Sequence, residues 1–353
     1  MKNNSKRWSI LCIGLVLAIL IAFAAPTAVI DPFFHFHGPR EDLSYPLNNQ
    51  RYQNDGIVRH FDYDALITGT SMTENFKTSE LDALFGVSSV KVSYSGGTFP
   101  ELMATVEQAL EYTPDLKLVL LCIDQWFLSS GRELIQADGD YPTYLYDDNP
   151  FNDVEYLLNR EIFFGNTLSV LTHTQKGLPT TSFDEYSSWV YPYDAQIVLS
   201  NYSRPEPADP QPVTEADIAR LKDTMENSLI RLARAYPDTE FIVYFPPYSI
   251  LTWDSWSREG LFDKNLTLFR KASELFLQEE NIRFFSFYSD FDTITDLNNY
   301  RDTVHHSDKI NSLLLQRIQQ GEDRLTKDTY QQHWQEVEAF YSSFGYDALL
   351  AAN

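Results

Sequence analysis

The sequence predicts an α/β protein: a mainly parallel, five-stranded sheet with helices on both faces, preceded by a membrane-spanning helix. Three observations predict it. Short apolar runs recur at 65–68, 90–94, 118–123, 241–245 and 282–287. Between most of them, apolar residues fall at helical spacing. The third run, from Leu118 to Ile123, is apolar throughout, as strands covered on both faces tend to be. Strands alternating with amphipathic helices close into a parallel sheet.

The amino terminus comes first. Trp8 to Ile30 carries no charge, and about 20 such residues span a bilayer. Lys2, Lys6 and Arg7 precede the run, which keeps the amino terminus cytoplasmic and the rest of the chain outside. The rival is a signal peptide cut at Ala22-Phe23-Ala24, a small-x-small site. The length of the apolar run favours an uncleaved anchor over residues 1–30. Cys12 follows the large residue Leu11, which argues against a lipoprotein.

Residues 31–61 read as a connecting arm, with Pro32, Pro39, Pro46 and the Phe33-Phe34 pair. His35 and His37 within it read as interfacial aromatics rather than as a metal pair. The α/β domain is expected over 62–325. After the first strand, Thr78 is placed as the cap of a helix that stops at Gly86. Thr98 and Glu101 have capping-box spacing before the next helix. Thr214 and Asp217 repeat that spacing further on. Ile310, Leu313, Leu314 and Ile318 mark a late helix ending at Gly321. Residues 129–212 break the alternation and are expected as one insertion over the carboxyl edge of the sheet. Its Trp189, Tyr191 and Tyr193 fit a sugar-binding surface or the insertion's own core. Residues 326–353 read as a peripheral helical tail.

The net charge of -23 sets nucleic acid aside, since phosphate backbones repel such a chain. The two cysteines are Cys12 and Cys122. With one in the anchor, the outer region has no intrachain disulfide and no cysteine-ligated zinc. No cofactor or metal is expected.

The chemistry centres on Gly69-Thr70-Ser71, a small-small-Ser turn after the first strand. Ligands in open α/β sheets bind at that edge. A serine hydroxyl needs a base, a group to orient the base, and donors for the oxyanion. His305 is the candidate base, with His306 as runner-up. Asp302, three residues before His305, is the candidate orienting group. The backbone N–H groups of Ser71 and of Gly96 or Gly97 are candidate oxyanion donors. Asp124 ends the third strand and is a candidate contact to substrate. Glu74 and Asn75 read as a solvated first turn.

Gly69-Thr70-Ser71, the glycine after the second strand and Asp302-x-x-His305 together resemble the SGNH (GDSL-type) hydrolase superfamily over roughly residues 62–320. The resemblance implies a three-layer, flavodoxin-like α/β/α fold, with Ser71 as nucleophile and Asp302–His305 as the last block. Two positions depart from it. Thr70 replaces the Asp of GDS, and Asp124 stands where many members place an oxyanion Asn. With its single anchor the chain is similar to proteins of teichoic acid D-alanyl transfer and alginate O-acetylation. That implies O-acyl chemistry on cell-envelope or exported polysaccharide, beside a polytopic membrane-bound O-acyltransferase. The competing expectation is a non-catalytic glycan-binding or assembly protein that keeps the fold.

Overall fold

β1, Ala65–Gly69, lies inside the sheet and carries the first candidate residue at its carboxyl end. The computed structural model describes residues 2–131 and 141–351. Its remaining strands are β2 (Ser89–Ser93), β3 (Leu118–Cys122), β4 (Glu240–Phe245), β5 (Ile282–Ser286) and β6 (Arg324–Leu325). They form one sheet in the order β2-β1-β3-β4-β5-β6. The first five are parallel. Every residue of β1, β2 and β3 is buried, so both faces of the sheet are covered there.

The sheet has six strands rather than the expected five. β6 is two residues long and pairs antiparallel with β5 at the edge. Two residues cannot show alternation, so the pattern carries no trace of it.

The helix signals resolve unevenly. Thr98 and Glu101 make a capping box at the start of helix Phe99–Tyr112. Thr214 and Asp217 make another before Glu215–Met225. Gly86 and Gly321 end their helices in the left-handed conformation. Thr78 is not a cap: it is the first residue of helix Thr78–Phe85, and Lys77 occupies the cap position. Thr78 instead donates its hydroxyl to Asp184 at 3.0 Å.

The chain divides into two compact units. The first joins the residues up to Phe61 with the stretch ending at Ser182; the second starts at Asp62 and resumes at Phe183. The expected insertion is therefore not one body. Its residues 132–140 lie outside the described residues, as do 352–353 of the tail. The rest of the insertion holds more helix than its sequence suggested, including Leu168–Gln175 and Ala195–Asn201.

In the first unit, helix Lys2–Ile30 runs into the residues expected as a connecting arm, and these are folded. Asp31 is fully buried. Its carboxylate accepts the backbone N–H groups of His35, Phe36 and His37 and the Tyr156 hydroxyl, at 2.7–3.0 Å. Helix Gln50–His60 follows within the expected arm. Phe33, Tyr144, Leu145, Tyr156 and Ile162 form the local core.

In the second unit the tail is not peripheral. Helix Tyr330–Ser343 buries Trp334, Val337 and Tyr341. Tyr341 stacks on Trp253 at 3.7 Å between centroids, and the Trp334 indole N–H donates to Ser273 Oγ at 3.0 Å.

Candidate active site

The strand order puts the topological switch between β1 and β3, because the chain leaves β1 for β2 on one side and returns to β3 on the other. Open α/β sheets bind ligands at such a crevice, beyond the carboxyl ends of the strands. Ser71 follows β1, Gly96 follows β2 and Asp124 follows β3. All three line one cavity of about 220 Å³, together with Thr70, Tyr248 and His305. A larger cavity, about 700 Å³, opens at the amino edge beside Asp64, Lys117 and Thr239 and has no nucleophile–base pair in its lining.

The turn that presents Ser71 needs glycine at 69. A Cβ there would stand 2.5 Å from Thr73 Cγ2 and 3.0 Å from Cys122 Cβ. Ser71 opens the 3₁₀ turn Ser71–Thr73, so its N–H has no acceptor within that turn. Its hydroxyl lies 2.8 Å from His305 Nε2. His305 Nδ1 lies 2.9 and 2.7 Å from the two oxygens of Asp302. An ionised carboxylate only accepts, so Nδ1 carries the proton and Nε2 is left to accept from Ser71. Asp302 also accepts the N–H groups of Val304 and His305 at 3.0 and 2.8 Å. Burial works to raise the Asp302 pKa, but the His305 hydrogen bond and charge and the two backbone donors outweigh it. The carboxyl sits below its ordinary value.

The adjacent histidine points elsewhere. His306 bridges to Tyr300 as a strand residue, and neighbouring side chains on extended backbone face opposite ways. It is buried, and desolvation lowers its pKa to about 4.

The two candidate glycines differ in what their N–H groups do. The Gly97 N–H is committed to Tyr94 O at 2.8 Å. Gly96, at φ +60°, adopts the left-handed conformation that favours glycine and lines the cavity. Its N–H has no partner among the described residues.

Asp124 is buried, with both oxygens engaged. Thr70 Oγ1 donates to one at 2.6 Å and the Tyr248 hydroxyl donates to the other. Burial raises its pKa against the pull of those two hydrogen bonds and of His305.

Glu74 and Asn75 are buried, not solvated. The Trp189 indole N–H donates to Glu74 at 2.8 Å, and the Trp189 backbone N–H donates to Asn75 at 2.9 Å. The Trp189 ring meets His305 edge-on at 5.7 Å. The Arg301 guanidinium stacks 3.7 Å over the Tyr191 ring and 4.9 Å over Trp189. Tyr193 lies 6.5 Å from Trp189. Trp189 therefore borders the histidine, with Tyr191 and Tyr193 packed as neighbours of Trp189.

Two contributors escaped sequence reasoning. Lys91 is fully buried in β2 and donates to the carbonyls of Glu74 and Phe76 at 2.5 and 2.9 Å. It pins the segment that follows Ser71. Burial lowers its pKa to about 8, opposed by Asp184 and Glu74. The available signal was a lysine set between Val90 and Val92 in a buried strand. Tyr248 had no comparable signal beyond the Pro246-Pro247 that ends β4.

Among the described residues, no three His, Cys, Asp or Glu side chains are grouped to hold a metal ion. His35 Nε2 pairs with Asp153 at 3.0 Å.

No family model matches the sequence, and no curated protein matches it. Among solved structures, a chain from Streptococcus pneumonia described provisionally as a platelet activating factor matches at a TM-score of 0.38 and 13% identity. The match covers 88% of this chain and 98% of that one. A likeness that remote carries no argument about function.

Proposed function

We propose that the chain is a membrane-anchored, outward-facing serine acyltransferase or esterase acting on O-acyl groups of cell-envelope or exported polysaccharide. One observation carries the chemistry: Ser71 Oγ, His305 and Asp302 form a continuous hydrogen-bonded series at the crevice between β1 and β3. The 2.8 Å between Ser71 and His305 supports catalysis over the non-catalytic reading, which expects the two apart.

Ser71 Oγ attacks the acyl carbonyl as His305 Nε2 takes its proton. Asp302 steadies the imidazolium. The Ser71 and Gly96 N–H groups hold the oxyanion, each worth on the order of 3 kcal/mol in the transition state. Collapse of the tetrahedral species expels the alcohol, which leaves with the proton from His305. An acceptor hydroxyl or water then loses its proton to His305 and attacks the acyl-enzyme. The new ester or acid departs and Ser71 is restored. Trp189 and Tyr191 offer ring faces of the kind that carbohydrate packs on. A polytopic membrane-bound O-acyltransferase as acyl supplier belongs to the same proposal.

The anchor rests on length, charge and burial. The helix Ser5–Ile30 is long and apolar enough to cross a membrane. Its last turn is built into the first unit, with Thr27 and Ile30 buried and Asp31 behind them. Cutting after Ala24 would remove Phe23, whose ring packs on Phe163 and Phe164, which supports retention.

A fluorophosphonate probe tests the chemistry on the full-length chain. Wild type should be labelled and Ser71→Ala spared; equal labelling of both overturns the proposal.

A further inference from the structure

The anchor helix fixes a depth scale. An α-helix rises about 1.5 Å per residue, and about 30 Å of hydrocarbon therefore takes about 20 residues. With Trp8 at the inner boundary, just past Lys6 and Arg7, the outer boundary falls near Thr27. Phe23 then lies about 6 Å inside it, four residues back.

The first unit touches the helix at that depth. The Phe23 ring is 4.7 Å from Phe163 and 6.0 Å from Phe164. Thr27 Oγ1 is 3.3 Å from Thr167 Oγ1. The π-helical turn Ile162–Thr167 thus runs alongside the helix where it leaves the bilayer. The short helix Val154–Leu157 packs on the anchor as well.

These elements and the residues flanking them expose apolar side chains. Phe164 is 54% exposed and Phe151 88%. Val154, Leu158 and Leu171 are exposed too. Outside the anchor, the first unit exposes seven large apolar residues among those described, and the far longer second unit exposes six. Such density beside a membrane helix needs an apolar cover.

We infer that Phe151, Val154, Leu158, Phe164 and Leu171 form a collar that inserts into the outer interfacial layer of the bilayer the helix crosses. The inference rests on the helix being a retained anchor. Phe164 touches a residue already within the hydrocarbon, so lipid is the occupant that geometry supplies. Aromatic and aliphatic side chains favour that layer. The neighbouring charges are mostly acidic: Asp147, Asp148, Asp153, Glu155 and Glu161 against Arg160. Anionic lipid is therefore not the attraction, and in a zwitterionic phosphatidylcholine bilayer collar insertion should not depend on salt.

The test uses the full-length chain in nanodiscs with bimane on single cysteines. Cys122 is buried and stays unlabelled. Native Cys12, exposed on the helix, reports whether the anchor is inserted. In a Cys12→Ser background, Phe151→Cys, Phe164→Cys and Leu171→Cys report the collar at three separate places. Brominated phosphatidylcholine should quench the Cys12 label and the collar labels several-fold relative to unbrominated lipid, equally at low and high salt. Quenching at Cys12 with bright, water-like emission at all three collar positions overturns the collar and leaves the anchor standing. That pattern is also expected if the surface is reserved for a membrane-protein partner. No quenching at Cys12 overturns the anchor, and the collar with it.

Discussion

Ser71 and His305 stand 2.8 Å apart; Ser286 and His333, in the same unit, stand 2.9 Å apart. By distance the two pairs are equivalent. Their surroundings are not. His305 has Asp302 on its far nitrogen and opens on a cavity. Ser286 and His333 are buried at the end of β5, against the aromatic tail. Burial lowers the His333 pKa to about 4, and no carboxylate contacts its ring among the described residues. A base must become an imidazolium in the transition state. At His305 a carboxylate is placed to stabilise that charge; at His333 desolvation opposes it. A serine–histidine hydrogen bond alone is therefore not a catalytic signature. The orienting carboxylate and the access are what separate the pairs.

The comparison breaks most sharply at the serines. The labelling that Ser71→Ala abolishes should be indifferent to Ser286→Ala, with turnover unchanged within about twofold. Labelled Ser286 would erase the distinction. Next in size is the orienting carboxylate. Asp302→Asn keeps the shape but cannot stabilise the imidazolium, and kcat should fall by about 10³–10⁴. A loss under about tenfold, measured with a chromogenic acyl ester, would mean that His305 is held by other contacts.

The oxyanion side sharpens the contrast further. The groups facing Asp124 are Thr70, Tyr248 and His305. Asp124→Asn leaves one acceptor for two hydroxyl donors, so it should loosen the Thr70–Asp124–Tyr248 network beside Ser71 and lower kcat by about tenfold, or ~1.4 kcal/mol. An unchanged kcat with the same chromogenic ester would show that Asp124 lies too far from the reacting oxygen to matter.

What the sequence made legible was local. The Ser71 turn follows a buried strand, and Asp302 sits three residues from His305, so both could be read within short windows. The parallel strands were readable for the same reason, since each is a short stretch rich in apolar residues. What stayed hidden depends on contacts far apart in the chain. Glu74 and Asn75 look like solvated turn residues until Trp189, more than a hundred residues later, covers them. The engagement of Asp124 by Tyr248 is equally remote. The tail looked peripheral because polar residues separate its aromatics and no strand follows it, yet Trp334 and Tyr341 find partners in Phe269 and Trp253. The choice between Gly96 and Gly97 turned on one turn hydrogen bond, which composition cannot express.

The smallest expected effect is on stability. His333 has a folded pKa near 4 and an unfolded value near 6.5. Above about pH 6.5 both states are neutral at this site and the group contributes nothing to pH dependence. As the pH falls from 6.5 towards 4, the unfolded chain binds a proton that the folded one refuses, so stability declines through that window and levels off below it. The decline is on the order of 3 kcal/mol for a shift of this size. His306, also lowered to about 4, acts in the same direction. His333→Gln keeps a side-chain amide within reach of Ser286 but does not titrate. Urea denaturation between pH 7 and pH 4 should therefore show roughly half the histidine-linked loss in the variant. An unchanged slope in His333→Gln would mean that the Ser286–His333 pair is hydrated in solution, and the difference between a sealed pair and an open one would have to rest on Asp302 alone.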